Sequence, residues 1–150
     1  MINNKASLAK SLFTKGYNCA QSVVGAFAEE IGVDRETAIR MSSSFGGGMG
    51  RLREVCGAVS GMFMVLGILY GYSDPCATEE KKELYKKVQL LAEEFSQKNK
   101  SIICRDLLGI QEKKDNPTPD ARSDNYYKAR PCVELVGDAA QILEDFINQN

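Results

Sequence analysis

The sequence predicts an all-α fold: a single-domain helical bundle, residues 1–150, of about five to seven helices around a central Gly-rich apolar helix. Three observations carry this. Apolar residues recur at helical spacing through most of the chain, and no segment alternates apolar and polar residues between hairpin turns. No charged residue occurs from Val55 to Tyr72, while the segments on either side are amphipathic and able to bury that stretch. The length of 150 residues is ordinary for one domain and sufficient to enclose a core.

The elements follow in order. Leu8, Ala9, Leu12 and Phe13 form the stripe of a first helix that Gly16 ends as a C-cap residue. Asn18 caps a second helix, with Gln21 at the capping-box position and Ala20, Val23, Val24, Phe27, Ala28 and Ile31 inward as far as Gly32. Asp34 caps a third, carrying Ala38, Met41 and Phe45, which stops at Gly46-Gly47-Gly48-Met49-Gly50. That run reads as an interhelical turn rather than a phosphate loop, because no strand precedes it and no Gly-Lys-Ser or Gly-Lys-Thr ending follows.

Val55 to Tyr70 forms the central helix. The charge-free stretch from Val55 to Tyr72 is long enough to raise a membrane span, which needs ~20 apolar residues, but Gly57, Gly61, Gly67 and Gly71 dilute it and amphipathic neighbours can bury it, so a core helix is the better reading. Thr78, Glu79 and Glu80 open a fifth helix with Leu84, Val88, Leu91, Ala92 and Phe95 inward and Lys82, Lys86, Gln89 and Glu93 toward water. A short element at Arg105 to Leu108 ends at Gly109. Pro131 starts the last helix, which carries Cys132, Leu135, Val136, Ala139, Leu143 and Phe146. Gln111 to Arg130, polar and containing Pro117 and Pro119, is long for a loop and reads either as a lid or as a mobile connection, with Tyr126 and Tyr127 anchoring its end.

Composition removes several function classes. With 19 basic and 20 acidic residues the net charge is −1, which provides no whole-chain field for nucleic acid or an anionic membrane. Histidine is absent, so Ser-His and Cys-His nucleophile pairs and His-ligated metal sites cannot be built from this chain. Met1 to Ala6 leads straight into amphipathic sequence without a signal-peptide pattern, which points to the cytoplasm. In that reducing compartment five cysteines indicate metal binding or redox chemistry rather than a disulfide framework, and the odd number leaves at least one unpaired.

Cys19, Cys104 and Cys132 fall at predicted helix starts, where free N–H groups and a partial positive charge lower a thiol pKa; Arg105 and Arg130 push the same way. Cys56 lies within the predicted core helix, in the small-residue run Cys56-Gly57-Ala58-Val59-Ser60-Gly61. Gly57 and Gly61 share a face, each at a cost of about 1 kcal/mol relative to alanine, so a helix backbone or a bound group should approach there. Gly57, Ser60 and Gly61 are therefore the candidate cofactor contacts. Cys76, in the turn Asp74-Pro75-Cys76-Ala77, reads as a small structural residue of the core. The remaining four cysteines are tens of residues apart, without Cys-x-x-Cys pairs, which weakens a zinc reading.

The succession Asn18-Cys19-Ala20-Gln21, the Gly-rich Phe45 to Gly50, Cys56 to Gly61, Cys104-Arg105-Asp106-Leu107-Leu108-Gly109 and Pro131-Cys132 resembles the family of redox-active proteins named for its C_GCAxxG_C_C pattern. The resemblance spans about Gly16 to Cys132. It carries the four motif cysteines onto Cys19, Cys56, Cys104 and Cys132 and leaves Cys76 outside. It implies a redox-active bacterial or archaeal protein, often encoded near transporter genes. Through a distant likeness to the split-Soret cytochromes it also implies an iron–sulfur centre; their haem does not carry over, because the chain has no Cys-x-x-Cys-His and no histidine.

Two chemical readings result. In one, Cys19 or Cys132 attacks a disulfide and a second cysteine resolves the mixed disulfide. In the other, Cys19, Cys56, Cys104 and Cys132 hold an iron–sulfur cluster, or less readily zinc, in an electron carrier or sensor. A helical interaction module for a transporter is a third reading. The expected partner is a redox partner of unknown identity, with no nucleic acid and no membrane insertion; a homodimer is open. Both chemical readings require the four sulfurs to converge in space.

Overall fold

A computed structural model describes residues 1–111 and 114–150. Among these residues the fold is all-α: nine helices and no β-strand. The helices are α1 (Lys5–Thr14), α2 (Cys19–Ala26), α3 (Ala28–Ile31), α4 (Arg35–Ser42), α5 (Gly57–Tyr70), α6 (Thr78–Asn99), α7 (Cys104–Leu108), α8 (Asp124–Ala129) and α9 (Cys132–Gln149). The two helices beyond the expected seven have local causes. Phe27 leaves helical geometry at φ −105°, ψ 10°, which divides the second helix into α2 and α3. In the segment read as a loop, Ser123 accepts a hydrogen bond from the Tyr126 N–H and starts α8.

Local sequence explains where α2 and α4 begin. Asn18 Oδ1 accepts from the Gln21 N–H at 2.9 Å and Gln21 Oε1 accepts from the Asn18 N–H at 3.0 Å, a complete capping box. Asp34 accepts from the Thr37 N–H at 2.9 Å. The inward face of α4 is Ala38 and Ser42, one turn apart; Met41, expected inward, falls off that stripe and is 53% exposed.

Helix α1 packs on α9 and α2, and α2 packs on α5 and α4. Their shared core holds Phe13, Val23, Phe27, Val59, Met62, Val65, Leu66, Val136 and Leu143, joined by Leu91 and Phe95 from α6. The charge-free helix is central only as far as Leu66. Gly57 to Met62 are buried, whereas Ile68 near its end is 51% exposed. No helix among the described residues is long and apolar enough to cross a membrane.

The start of α1 holds a buried cation. Lys5 pairs with Glu30, donates to the Ala26 carbonyl at 3.1 Å, and through its backbone N–H donates to Glu144 at 2.9 Å. These contacts tie α1 to α2, α3 and α9 at the end of the bundle away from the cysteines.

Candidate functional site: a four-cysteine cavity

The segment between α4 and α5 creates the site. After one tight turn at Ser43–Phe45, the chain passes through Gly47, Gly48, Met49, Gly50, Arg51 and Arg53, all with φ between 58° and 71°. Left-handed geometry is inexpensive at glycine but costs other L-residues roughly 1–2 kcal/mol each, so Met49, Arg51 and Arg53 are held there by their surroundings. At Gly48 the need for glycine is also steric: a Cβ would lie 2.5 Å from Cys104 Cβ and 2.8 Å from Arg53 Cα.

An isolated antiparallel bridge between Val55 and Ile103 then brings two cysteines onto neighbouring segments. The Cys56 N–H donates to the Ile102 carbonyl at 2.7 Å, and the Cys104 N–H donates to the Glu54 carbonyl at 2.6 Å. Cys56 is the N-cap of α5 and does not lie within the helix as expected. Cys19, Cys104 and Cys132 are the first residues of α2, α7 and α9. All four thiols therefore stand at helix starts, and all four line one cavity of about 290 Å³.

Gly57 also lines this cavity and is packed from behind: a Cβ there would lie 3.0 Å from the Phe45 carbonyl oxygen and 3.1 Å from Cys19 Cβ. Ser60 and Gly61, expected with it as cofactor contacts, do not line the cavity. The Ser60 hydroxyl donates to the Cys56 carbonyl of its own helix at 3.2 Å. Gly61 faces the α2 backbone, where a Cβ would meet the Ala20 carbonyl oxygen at 3.0 Å. At Gly61 the close approach anticipated for the small-residue face is made by a helix backbone. Cys76 is exposed in its turn and away from the cavity, so it is not the core residue it was read as.

Four arginines join the cysteines at the cavity wall: Arg51, Arg53, Arg122 and Arg130. Arg53 is the most buried, with a side chain only 2% exposed. Its Nη1 donates to Cys104 Sγ at 3.5 Å and its Nη2 to Asp115 at 2.9 Å, while its buried Nε has no hydrogen-bond partner among the described residues. Arg51 pairs with Asp115 at 3.0 Å and with Asp120 at 3.4 Å, and Arg130 pairs with Asp120. Arg122 lies over the Phe13 ring at 4.1 Å and the Tyr126 ring at 5.1 Å and donates to the Phe13 and Tyr17 carbonyls. The described part of the 111–130 segment thus supplies Asp115, Pro117, Pro119, Asp120, Arg122, Tyr126 and Arg130 in or beside the wall. Glu112 and Lys113 lie outside the described residues.

These neighbours separate the thiols electrically. Interaction with the neighbouring Cys19 thiol, helped by Arg130, Arg122 and Arg53, lowers the Cys132 pKa to about 7 against the cost of burial. The same interaction keeps the proton on Cys19, whose pKa lies well above the usual 9.0, with burial adding to the rise. Burial pushes Cys56 up to about 12 despite the N–H groups of Ala58 and Val59. Cys104 is also raised by burial, partly offset by Arg53. Only Cys132 is lowered, and by Cys19 and the arginines rather than by its helix start; at Cys56 and Cys104 desolvation prevails, and at Cys19 the Cys132 sulfur raises the pKa first and burial second. The cation that contacts Cys104 is Arg53 and not the expected Arg105, which instead pairs with Glu54 at 3.2 Å. Arg53 and Arg122 were not legible as site residues, since neither stands beside a cysteine in sequence.

Among the described residues, no group of three Cys, Asp or Glu side chains is close enough together to hold a metal ion. Fold and site together define a class: an all-α protein with four free thiols around an arginine-lined cavity. The family model described as Putative redox-active protein (C_GCAxxG_C_C) matches residues 17–146, and the chain belongs to that family. Set against the GCAxxG of that label, the chain reads Cys56-Gly57-Ala58-Val59-Ser60-Gly61, with Cys and Gly exchanged; glycine then occupies the position packed against Phe45 and Cys19. No curated protein and no solved structure matches the chain.

Proposed function

We propose that the protein is a thiol–disulfide redox protein in which Cys132 attacks and Cys19 resolves. What supports this is that Cys19 and Cys132, the first residues of α2 and α9, line one cavity with Arg122 and Arg130 and influence each other's titration, Cys132 being lowered to about 7 while the proton stays on Cys19. The Cys132 thiolate attacks one sulfur of an external disulfide. The S–S bond breaks, a mixed disulfide forms, and the other sulfur leaves as a thiolate that takes a proton from solvent. Cys19 then attacks Cys132 Sγ as its own proton passes to the departing sulfur. A Cys19–Cys132 disulfide forms, and the external disulfide has been reduced by two electrons. The reverse sequence oxidises an external dithiol.

The cytoplasm expected from the sequence would keep this pair reduced between turnovers. Oxidation of the pure protein followed by peptide mapping is the test. The expected product is one Cys19–Cys132 disulfide that dithiothreitol reverses, lost in both Cys19→Ser and Cys132→Ser. A pair that stays reduced at an oxidising poise that oxidises free thiols defeats the proposal.

A second reading has its own support: four thiols face one cavity whose arginines exceed its aspartates, an environment suited to an anionic iron–sulfur cluster. It requires the four sulfurs to close on one centre. Anaerobic purification with iron and acid-labile sulfide analysis separates the two, since stoichiometric iron and sulfide dependent on all four cysteines favours the cluster.

A further inference from the structure

Access to the cavity restricts what can react there. Cys56, Cys104 and Cys132 are 4%, 7% and 7% exposed, and the cavity of about 290 Å³ has the size of a small-molecule site. A disulfide on a folded partner would have to enter the wall between α2, α9 and the 114–130 segment, whereas a small disulfide needs only the cavity.

The charge of the wall selects further. Among the described residues Arg51, Arg53, Arg122 and Arg130 face two carboxylates, Asp115 and Asp120, so positive charge stays in excess by one even with Cys132 as a thiolate. Arg53 carries an unmet donor beside this wall. Its side chain is almost wholly buried at the cavity wall, yet its Nε–H has no acceptor among the described residues. A buried donor on a charged group is costly to leave unmet, and a planar guanidinium is suited to a carboxylate. Arg53, Arg130 and Cys132 line the same cavity, so an anion bound against these arginines shares that space with the attacking sulfur.

We propose that the substrate is a small anionic disulfide, carrying one or two carboxylates, with a carboxylate seated against Arg53 and Arg130 and a sulfur presented to Cys132. This rests on the exchange reading. Its redox balance is that already given: the anionic disulfide gains two electrons and leaves as two thiols while Cys19 and Cys132 join.

The test compares three linear disulfides of similar length: dithiodipropionate, a dianion; bis(hydroxyethyl) disulfide, neutral; and cystamine, a dication. Each rate with the reduced full-length protein is divided by its rate with a neutral small thiol. The expected order is anion, neutral, cation, with the anion about tenfold ahead of the neutral compound at low salt and the gap closing as salt rises. Arg130→Gln and Arg53→Lys should each reduce that preference several-fold while changing the neutral rate less. Arg130 is less buried than Arg53, so its variant keeps the test open if Arg53→Lys does not fold. Cystamine or the neutral disulfide reacting as fast as the anion overturns this inference and leaves exchange standing. Failure of all three to form the Cys19–Cys132 disulfide overturns the exchange reading itself.

Discussion

Two glycines of one helix should respond to the same substitution with opposite signs. In α5, an alanine at Gly61 would place its Cβ 3.0 Å from the Ala20 carbonyl oxygen and 3.2 Å from Val23 Cβ. One of these atoms is backbone, so the contact cannot relax by rotation of a side chain. Overpacking of this kind costs about 1–3 kcal/mol, against a gain of about 0.5–1 kcal/mol from removing a helical glycine. Gly67→Ala receives the same gain and meets nothing within 4 Å. The two variants should therefore differ by about 2 kcal/mol, or about 4–8 °C in melting temperature for a chain of this size, with Gly61→Ala the less stable. Thermal melts under reductant measure the difference. The displaced strut is α2, which begins at Cys19, so Gly61→Leu should also raise the pH midpoint of Cys132 alkylation as the Cys19 contact is lost. Equal stabilisation by both alanines would show that the α2–α5 contact is loose and that the argument linking Gly61 to the cysteine pair is wrong.

The remaining predictions test separate parts of the structure. Alkylation of Cys132 should rise with a midpoint near pH 7, and Cys19→Ala should move that midpoint toward 9.0; an unchanged midpoint would remove Cys19 as the neighbour that lowers it. Cys56 holds its proton more tightly folded, at about 12, than unfolded, at its ordinary 9.0, so stability is full below about pH 9 and falls as pH rises toward 12. Urea midpoints between pH 8 and 10.5 should decline less steeply in Cys56→Ala than in the parent. Gly48→Ala adds left-handed strain and overlaps Cys104 Cβ, which should cost at least about 2 kcal/mol in urea unfolding; a neutral result would contradict the close approach of that loop to Cys104. Lys5→Met leaves the nearly buried Glu30 carboxylate without its cation and should cost about 3 kcal/mol, measured by the same method.

What the sequence determined by itself was everything governed by local periodicity and capping. The stripe of α9, the capping box at Asn18, the cap at Asp34 and the amphipathic face of α6 depend on residues three or four apart, so each was readable in place. The order of the four motif cysteines was equally a property of the linear chain. Where α5 begins was not, because the Val55–Ile103 bridge holds Cys56 in an extended conformation and delays the helix to Gly57; that pairing joins segments nearly fifty residues apart. Nor could helix starts alone rank the thiols. The dipole is local and gives the same sign at each, but burial at Cys56 and Cys104, and the Cys132 sulfur together with burial at Cys19, depend on the whole fold and reverse it. Arg53 and Arg122 show the same division. Their place in sequence gives no reason to associate them with sulfur, and only the left-handed turn through residues 47–53 and the path of the 114–130 segment bring their charges to the cavity.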